Sequence, residues 1–360
     1  MPATDHNSSQ PKQAKLRLLF VKLKRIGDAL LLTPALVAVR ENFPHAEIWV
    51  VVRKGTEGIL VGCPAIDRIV TAAPVESHQR NLGDLWLEFR TIMLLRSQHF
   101  NYAFELSDGD RGRLIVGLSG ARARCANTSR YPLKWWHRLL FNHQTNTPWT
   151  EAHRAEKDYQ LVSDFLPLAG EIPPMCFVRS RSSEPEFLAH MDNFVVVHPG
   201  TYWVRKRWPK DHWIQLGHRL LERVGHIVVS SGPDKAERAQ AAELVAAWGN
   251  DRAVNTDGKL DWAHLAGCLY RARAFIGVDT AAMHLAAACQ CPIVAIFGYS
   301  RVHQWQPWKA QFRLINMAAG LKQSEYPDHE VMKMQTPEMV LQALDEIIRP
   351  PVPAMPMVSV

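Results

Sequence analysis

LRLLFVKLKRIGDALLLTPALVAVREN, residues 16–42, contains an apolar run, a polar turn around Gly27 and a longer amphipathic stretch. The run predicts a strand over Leu16–Val21, and the stretch after the turn predicts a helix over Ala29–Asn42. A second apolar run, Glu47–Val52, predicts the next strand. This alternation is typical of an α/β chain with parallel strands.

The alternation continues along the chain and is interrupted once. A helix over Asp84–Arg96, a strand over Asn101–Leu106 and a helix over Thr150–Leu166, capped by Thr150, complete the first series. Residues 170–190 are rich in Pro and Ser, which is typical of a connection between domains. The second series has strands at Phe194–His198, His226–Ser230, Ala274–Val278 and Pro292–Phe297, and helices at Asp211–Val224, Asp234–Trp248, Asp261–Arg271, Thr280–Cys289 and Pro337–Ile348.

These two series predict two domains, each long enough to bury a core. We expect a disordered lead-in over 1–15, a first domain over 16–172, a linker over 173–190, a second domain over 191–335, a C-terminal helix over 336–349 and a flexible tail over 350–360. The first fifteen residues lack the apolar region of a secretory signal, and no apolar run reaches the ~20 residues that span a bilayer. The six cysteines form no CxxC pair. A cytoplasmic protein is the expectation.

Positive charge is concentrated in one stretch of the first domain. The whole chain carries a net charge of +7, and residues 111–150 alone hold seven basic side chains and no acidic one. Such a stretch can meet nucleic acid, an anionic membrane, or a phosphorylated or carboxylated substrate, and a plain solvated surface is the alternative. The basic residues are Arg111, Arg113, Arg122, Arg124, Arg130, Lys134 and Arg138.

Four motifs fall where a predicted strand gives way to a helix, the edge at which open parallel sheets bind ligands. In the first, Lys22–Pro34, Asp28 stands in the first helical turn. It is a candidate general base, and the alternative is an acid that complements the helix dipole. The GxGxxG pattern of dinucleotide-binding enzymes is absent here, which argues against a dehydrogenase.

The other three motifs favour a nucleotide. Thr201 and the cations around Lys206 follow a strand and suit a diphosphate, unless they form a solvated basic loop. Asp234 either lines a nucleoside pocket or only caps its helix. Asp279 precedes a helix start at Thr280 that favours phosphate, and His284, one turn further, is either a site residue or a packing residue.

On these motifs the sequence resembles glycosyltransferase family 9, the ADP-heptose:lipopolysaccharide heptosyltransferases, over about residues 16–348. The matching residues are Gly27-Asp28…Leu32-Thr33-Pro34, His198-Pro-Gly-Thr201 with Lys206 and Trp208-Pro209, and Asp279-Thr280…Met283-His284-Leu285 with Phe297-Gly298. The resemblance implies a GT-B fold, in which two Rossmann-like domains face each other across a cleft, with the acceptor in the first and the nucleotide sugar in the second. It also implies a metal-independent, inverting transfer without a resident cofactor, and ADP-L-glycero-D-manno-heptose as the donor.

The resemblance assigns roles to individual residues. It implies that Asp28 is the catalytic base and that Lys206 and Thr201 bind the donor phosphates. The turn of Asp279, Thr280, Ala281 and His284 belongs to the same donor site. Ala281 stands where the family commonly has Gly, Gly298-Tyr299-Ser300-Arg301 replaces a Gly-Pro-Thr pattern, and Val302–Trp308 is unusually aromatic. These departures concern the identity of the donor sugar more than the type of reaction.

The same resemblance implies a binding partner for the basic stretch. The implied acceptor is an anionic lipopolysaccharide core at the cytoplasmic face of the inner membrane, with peripheral membrane contact and no nucleic acid. Arg111 and Arg113 are the candidates for direct contact, and Arg122, Arg124 and Arg130 belong to the same docking patch. The alternatives are a protein O-heptosyltransferase, a GT-B binding module without activity, and a nucleotide-sugar epimerase of the same architecture.

Overall fold

The computed structural model describes residues 15–73, 82–129, 132, 134–148, 151–179, 184–249 and 251–351. The expected lead-in over 1–15 and the tail over 350–360 lie almost wholly outside these residues, as do Arg130 and Thr150. The described chain forms two halves, each built on one parallel sheet.

The first half has a six-stranded sheet in the order β3-β2-β1-β4-β5-β6, and every pairing in it is parallel. The central strands are apolar runs that are buried on both faces, as parallel strands covered by helices must be. The strands are β1 (Arg17–Lys22), β2 (Glu47–Arg53), β3 (Arg68–Ala72), β4 (Tyr102–Glu105), β5 (Ala123–Asn127) and β6 (His143–Thr145). The helices are α1 (Ile26–Leu30), α2 (Thr33–Asn42), α3 (Leu82–Arg96), α4 (Asp110–Leu118) and α5 (Arg154–Ser163).

The second half repeats this plan in the order β12-β11-β10-β7-β8-β9, again with parallel pairings. Its strands are β7 (Phe194–His198), β8 (His226–Val229), β9 (Ala253–Asn255), β10 (Phe275–Val278), β11 (Ile293–Ile296) and β12 (Phe312–Ile315). Its helices are α6 (Lys210–Leu220), α7 (Lys235–Trp248), α8 (Trp262–Arg271), α9 (Ala281–Ala288), α10 (Val302–Trp305), α11 (Asp328–Met334) and α12 (Pro337–Asp345). Each sheet therefore has the doubly wound strand order of Rossmann-like domains, and the predicted α/β architecture is confirmed.

The predicted elements agree with the structure for the central strands, and two predicted helices differ from it. The elements that were not predicted are β3, β5, β6, β9, β12, α4, α10 and α11. The single helix predicted over Ala29–Asn42 is wrong: it is two helices, because Pro34 lacks the amide hydrogen that a continuing helix needs and therefore stands in the first turn of α2. The predicted start at Thr150 is also wrong. Helix α5 begins at Arg154, where the side chain of His153 accepts the Ala155 amide and Glu156 completes a capping box.

Helix α4 was not predicted, and its glycines explain why. Gly112 lowers the helix propensity of this segment, so the sequence signal is weak. A Cβ at this position would lie only 2.4 Å from Oε1 of Glu105, so the close packing of α4 on β4 requires glycine. The helix at the C-terminus covers the sheet of the second half, where Val340, Leu341 and Leu344 are buried in its core. In the described part of the chain, no helix combines the length and apolar character needed to cross a bilayer.

Candidate active site

The site lies where the strand order of each sheet reverses. In the first half the reversal falls between β1 and β4, and in the second half it falls between β7 and β10. Crevices at the carboxyl ends of such strands are the usual ligand sites of doubly wound sheets. Asp28 follows β1, Thr201 and Lys206 follow β7, and Asp279 follows β10. The residues predicted from the four motifs therefore share these two edges, with Asp234 following the neighbouring strand β8.

The two edges meet at the starts of α1 and α9. A Cβ at Gly27 would lie 3.0 Å from Cδ2 of His284 and 3.5 Å from Cα of Ala281, so glycine permits this close approach. The guanidinium of Arg25, just before α1, lies 4.5 Å from the ring centroid of Tyr202 and 4.7 Å from that of Trp203. These cation–π contacts join the first half to the loop that carries Thr201 and Lys206.

The aromatic segment after β11 forms a second contact between the halves. Trp308 stacks on His153, the cap of α5, with ring centroids 4.6 Å apart. The same histidine bonds through Nε2 to the carbonyl of Gln306 at 2.9 Å, and the indole of Trp308 donates to the carbonyl of Pro173 at 2.9 Å. The unusual aromatic residues of this segment therefore pack against the first half.

The donor side of the site holds an ion pair and two unpartnered polar atoms. Nζ of Lys206 lies 2.5 Å from Oδ2 of Asp279, so the pair links the turn after β7 to the end of β10. Thr201 is buried, and its hydroxyl accepts the Trp203 amide at 3.3 Å. The hydroxyl of Thr280 and Nδ1 of His284 are buried without a hydrogen-bond partner among the described residues. Buried polar groups are normally paired, so these two atoms are available to a ligand.

His284 is neutral at pH 7. Burial lowers its pKa to about 4, because the charged imidazolium is penalised away from water, and the opposing charge of Asp279 only partly offsets this. The ring approaches Gly27, in the first-half turn, through its Cδ2 atom, and its Nδ1 has no hydrogen-bond partner among the described residues. A neutral imidazole can donate or accept one hydrogen bond at each nitrogen.

Asp28 lies in the first half, in the turn of α1 that contacts α9. Its side chain is half-buried, and within the described chain its carboxylate accepts no hydrogen bond and forms no ion pair. It is close enough to Lys22, Arg154 and His284 to act electrostatically on all three. A carboxylate without a partner between two cationic side chains and the second half is placed to take a proton from a ligand.

Behind Asp28 lies a buried ionic network that sequence reasoning missed. Nζ of Lys22 and Oδ2 of Asp158 are both fully buried and 2.5 Å apart. Arg154 lies 3.7 Å from Asp158 and 3.2 Å from Asp108, and donates to the carbonyl of Leu106. Burial lowers the pKa of Lys22 and raises that of Asp158, while the opposite charges counteract both shifts. The available signals were a lysine ending a buried strand and the i,i+4 spacing of Arg154 and Asp158.

Glu105 is a second buried carboxyl group at this edge that the motifs did not single out. It ends β4 and accepts the backbone amides of Ser107 at 2.8 Å and Asp108 at 3.2 Å. Burial raises its pKa to about 7, with a contribution from the negative charge of Asp108. Its side chain fills the space left by Gly112 and so fixes the start of α4 at the edge of the cleft.

The structure separates the predicted acceptor arginines into two groups. Arg111 and Arg113 stand in the first turn of α4, at the cleft edge, where Arg111 pairs with Glu88 at 2.6 Å and Arg113 is buried. Arg122 precedes β5 and lies at the opposite end of the sheet. Arg124 follows it, and its guanidinium donates to the carbonyls of Leu140 and Ala121. These two arginines are not brought to the cleft, and Arg130 lies outside the described residues.

Asp234 is the N-cap of α7. Its exposed carboxylate accepts the amides of Ala236 at 2.9 Å and Glu237 at 3.3 Å, so the cap considered as the alternative is present. Glu237 lies closer to the cleft turn, because its Oε2 accepts the Gly232 amide at 3.0 Å and packs beside Gly200. A donor-binding role for Asp234 stays a prediction.

Two Rossmann-like halves that face each other across a cleft, with cationic and hydroxyl groups on one side and a carboxylate on the other, are the arrangement found in GT-B glycosyltransferases. The family model of glycosyltransferase family 9 (heptosyltransferase) matches residues 119–333, and the chain belongs to this family of transferases. The matched residues include Thr201, Lys206, Asp279 and His284, whereas Asp28 precedes them.

Individual relatives extend the match into the first half. The chain is 25% identical over 292 residues to lipopolysaccharide heptosyltransferase 3 of Escherichia coli, covering 78% of this chain and 83% of that protein. It is 27% identical over 303 residues to lipopolysaccharide heptosyltransferase 1 of Pseudomonas aeruginosa, covering 79% of each. Among solved structures, E. coli heptosyltransferase WaaC with ADP superposes with a TM-score of 0.75 at 18% identity, covering 92% of this chain and 99% of that one. This last likeness confirms the GT-B fold.

Proposed function

We propose that the protein transfers a heptose from ADP-L-glycero-D-manno-heptose to a hydroxyl of the lipopolysaccharide inner core, with inversion at the anomeric carbon. The observation that carries this proposal is the pair of unpartnered polar atoms on Thr280 and His284 beside the Lys206–Asp279 ion pair. Relatives named as lipopolysaccharide heptosyltransferases, and a structural neighbour described with ADP, support the choice of donor and acceptor.

The second half holds the diphosphate of the donor. The ammonium of Lys206 and the hydroxyls of Thr201 and Thr280 supply a charge and two hydrogen bonds, and the backbone amides at the start of α9 add further donors. As the bond between the anomeric carbon and the diphosphate breaks, its electron pair passes to the leaving phosphate oxygen. These groups stabilise the negative charge that develops there. We also propose that the transfer requires no metal ion.

The first half supplies the base. Asp28 takes the proton of the acceptor hydroxyl while that oxygen attacks the anomeric carbon from the face opposite the diphosphate. One C–O bond forms, one breaks, and the configuration inverts. A positioned base contributes about 10²–10⁴ in rate. The contact of α1 with α9 brings this carboxylate to the donor side and excludes water, which otherwise hydrolyses the donor.

The acceptor enters from the edge formed by α4. Arg111 and Arg113 lie there and complement the phosphates and carboxylates of an inner-core oligosaccharide. The lipid anchor of such an acceptor lies in a membrane, so the proposal includes peripheral contact with the cytoplasmic face of the inner membrane.

A transfer assay with two donors and two acceptors tests the proposal. The donors are ADP-heptose and the GDP-linked heptose, and the acceptors are a deacylated inner-core oligosaccharide and a serine-containing peptide. We expect transfer only from ADP-heptose to the oligosaccharide, with an inverted anomeric centre by NMR. Transfer to the peptide instead would make the protein a protein O-heptosyltransferase, and donor binding without transfer to either acceptor would make it a binding module.

A further inference from the structure

Helix α3 carries a stripe of apolar side chains that faces solvent. The members of this α3 stripe recur at the spacing of one helix face and are all exposed: Leu82, Leu85, Trp86, Phe89 and Met93. Leu82 is 84% exposed and Trp86 60% exposed. The rings of Trp86 and Phe89 stack with centroids 5.6 Å apart. The opposite face of the helix buries Thr91 and Leu95, so α3 has a second apolar face that the described residues leave uncovered.

Another exposed apolar side chain lies in a segment that two ion pairs connect to α3 through the start of α4. Glu88 of α3 pairs with Arg111 of α4 at 2.6 Å. The neighbouring residue, Asp110, pairs with Lys134. Trp135 follows directly and is 79% exposed. These contacts connect helix α3 and the Trp135 segment to the start of α4, at the edge of the acceptor half of the cleft.

The charged side chains near this surface indicate what kind of partner it binds. Arg90 of α3 and Arg138 near Trp135 are exposed, Lys134 is paired with Asp110, and residues 111–150 hold no acidic side chain. Exposed apolar and tryptophan side chains together with exposed arginines fit a bilayer whose headgroups are anionic. A second copy of the chain would bring the same cations against each other, which opposes self-association through this face.

We propose that the α3 stripe, with the exposed side chains of Trp135 and Leu139, is the surface by which the protein docks on an anionic lipid bilayer. Docking in this orientation holds the acceptor edge of the cleft at the membrane surface, where Arg111 meets an acceptor that is anchored in the lipid. The inference rests on the proposed function only for the nature of the acceptor, because binding to lipid is measured without it.

Vesicle co-sedimentation of the full chain tests the surface. The probes are phosphatidylcholine vesicles and phosphatidylcholine vesicles with about 30% phosphatidylglycerol. We expect the unaltered protein to bind the anionic vesicles only. The Trp86→Ser/Phe89→Ser variant should bind them at least about tenfold more weakly, because it lacks the two aromatic rings that the lipid would bury. Both residues are exposed, so the variant keeps its thermal unfolding midpoint. The matched control, Met317→Ser, removes an exposed apolar side chain of the second half and keeps full binding.

Three results would overturn the proposal: no binding of the unaltered protein to anionic vesicles, equal binding by the double variant, or a dimer that the double variant dissociates. Transfer to the deacylated, water-soluble acceptor separates this inference from the proposed function. We expect that rate to be unchanged in the double variant. If the unaltered protein binds anionic vesicles through the stripe but transfers heptose to no acceptor, the docking surface stands and the proposed function falls.

Discussion

Lys206 and Asp279 form an ion pair of 2.5 Å between the turn after β7 and the end of β10. The two residues are 73 positions apart in sequence, and the strand reversal between β7 and β10 brings them together. In the proposed mechanism the ammonium group of the lysine binds the donor diphosphate. The aspartate holds the lysine side chain in place and balances its positive charge when no donor is bound.

Replacing Lys206 tests this arrangement. Lys206→Ala removes a charge-assisted contact and leaves Asp279 to repel the diphosphate, so we expect ADP to bind roughly tenfold to a hundredfold more weakly by calorimetry. In the double variant Lys206→Ala/Asp279→Asn the repulsion is gone, and part of the affinity returns. Equal affinity for ADP in Lys206→Ala and the unaltered protein would contradict the assignment.

The buried pair of Lys22 and Asp158 predicts an asymmetric loss of stability. Asp158→Asn leaves Lys22 buried without its partner and weakens the surroundings of Arg154, so the free energy of unfolding should fall by about 3–5 kcal/mol. Lys22→Met should lower the free energy of unfolding by less, because Asp158 still has Arg154 as an ion-pair partner. Urea unfolding measures both, and Lys22→Met/Asp158→Asn should be more stable than Asp158→Asn alone. A single Asp158→Asn variant as stable as the unaltered protein would show that the pair is not held in the core.

His284 makes stability depend on pH. Burial lowers its pKa to about 4, against 6.5 in the unfolded chain. Between these values the unfolded state binds the proton and the native state does not, so stability falls as the pH falls from 6.5 towards 4. Compared with His284→Gln, the unaltered protein should lose about 1.4 kcal/mol more per pH unit in this window. Parallel pH profiles of the two proteins in urea unfolding would contradict the burial of a neutral imidazole.

The two groups of arginines give opposite expectations for the acceptor. Arg111→Ala removes a cation from the cleft edge, and we expect the KM for the inner-core oligosaccharide to rise about tenfold while the KM for ADP-heptose is unchanged. Arg122→Ala is the matched control, since that arginine lies at the far end of the sheet, and should leave both values unchanged. A larger effect from Arg122 than from Arg111 would place the acceptor elsewhere.

The sequence predicted the features that depend on local pattern. Strands such as Phe194–His198 are apolar runs whose ends carry the motif residues, so the central strands and the location of Asp28, Lys206 and Asp279 at sheet edges could be predicted. The shorter outer strands, such as β3 and β12, were not predicted. The α/β class with two halves followed from the same periodicity.

Features that depend on tertiary packing could not be predicted. Lys22 and Asp158 are 136 residues apart, and only the docking of α5 beside β1 makes them partners. Arg111 and Arg122 stand in one basic run, but α4 crosses the sheet between them and carries them to opposite edges. The sequence shows the composition of this basic run, but it does not show that α4 separates Arg111 from Arg122.

In the proposed mechanism Asp28 is the catalytic base, and the other half of the molecule holds the donor. Asp28→Asn keeps the size of the side chain and removes its ability to accept the proton. Asp261→Asn, at the exposed cap of α8, is the control and should keep normal turnover.

The decisive measurement is the turnover of Asp28→Asn together with its affinity for ADP-heptose by calorimetry. We expect a loss of kcat of about 10²–10⁴ with an unchanged Kd for the donor. Near-normal turnover, or a loss of donor affinity that accounts for the loss of rate, would contradict it.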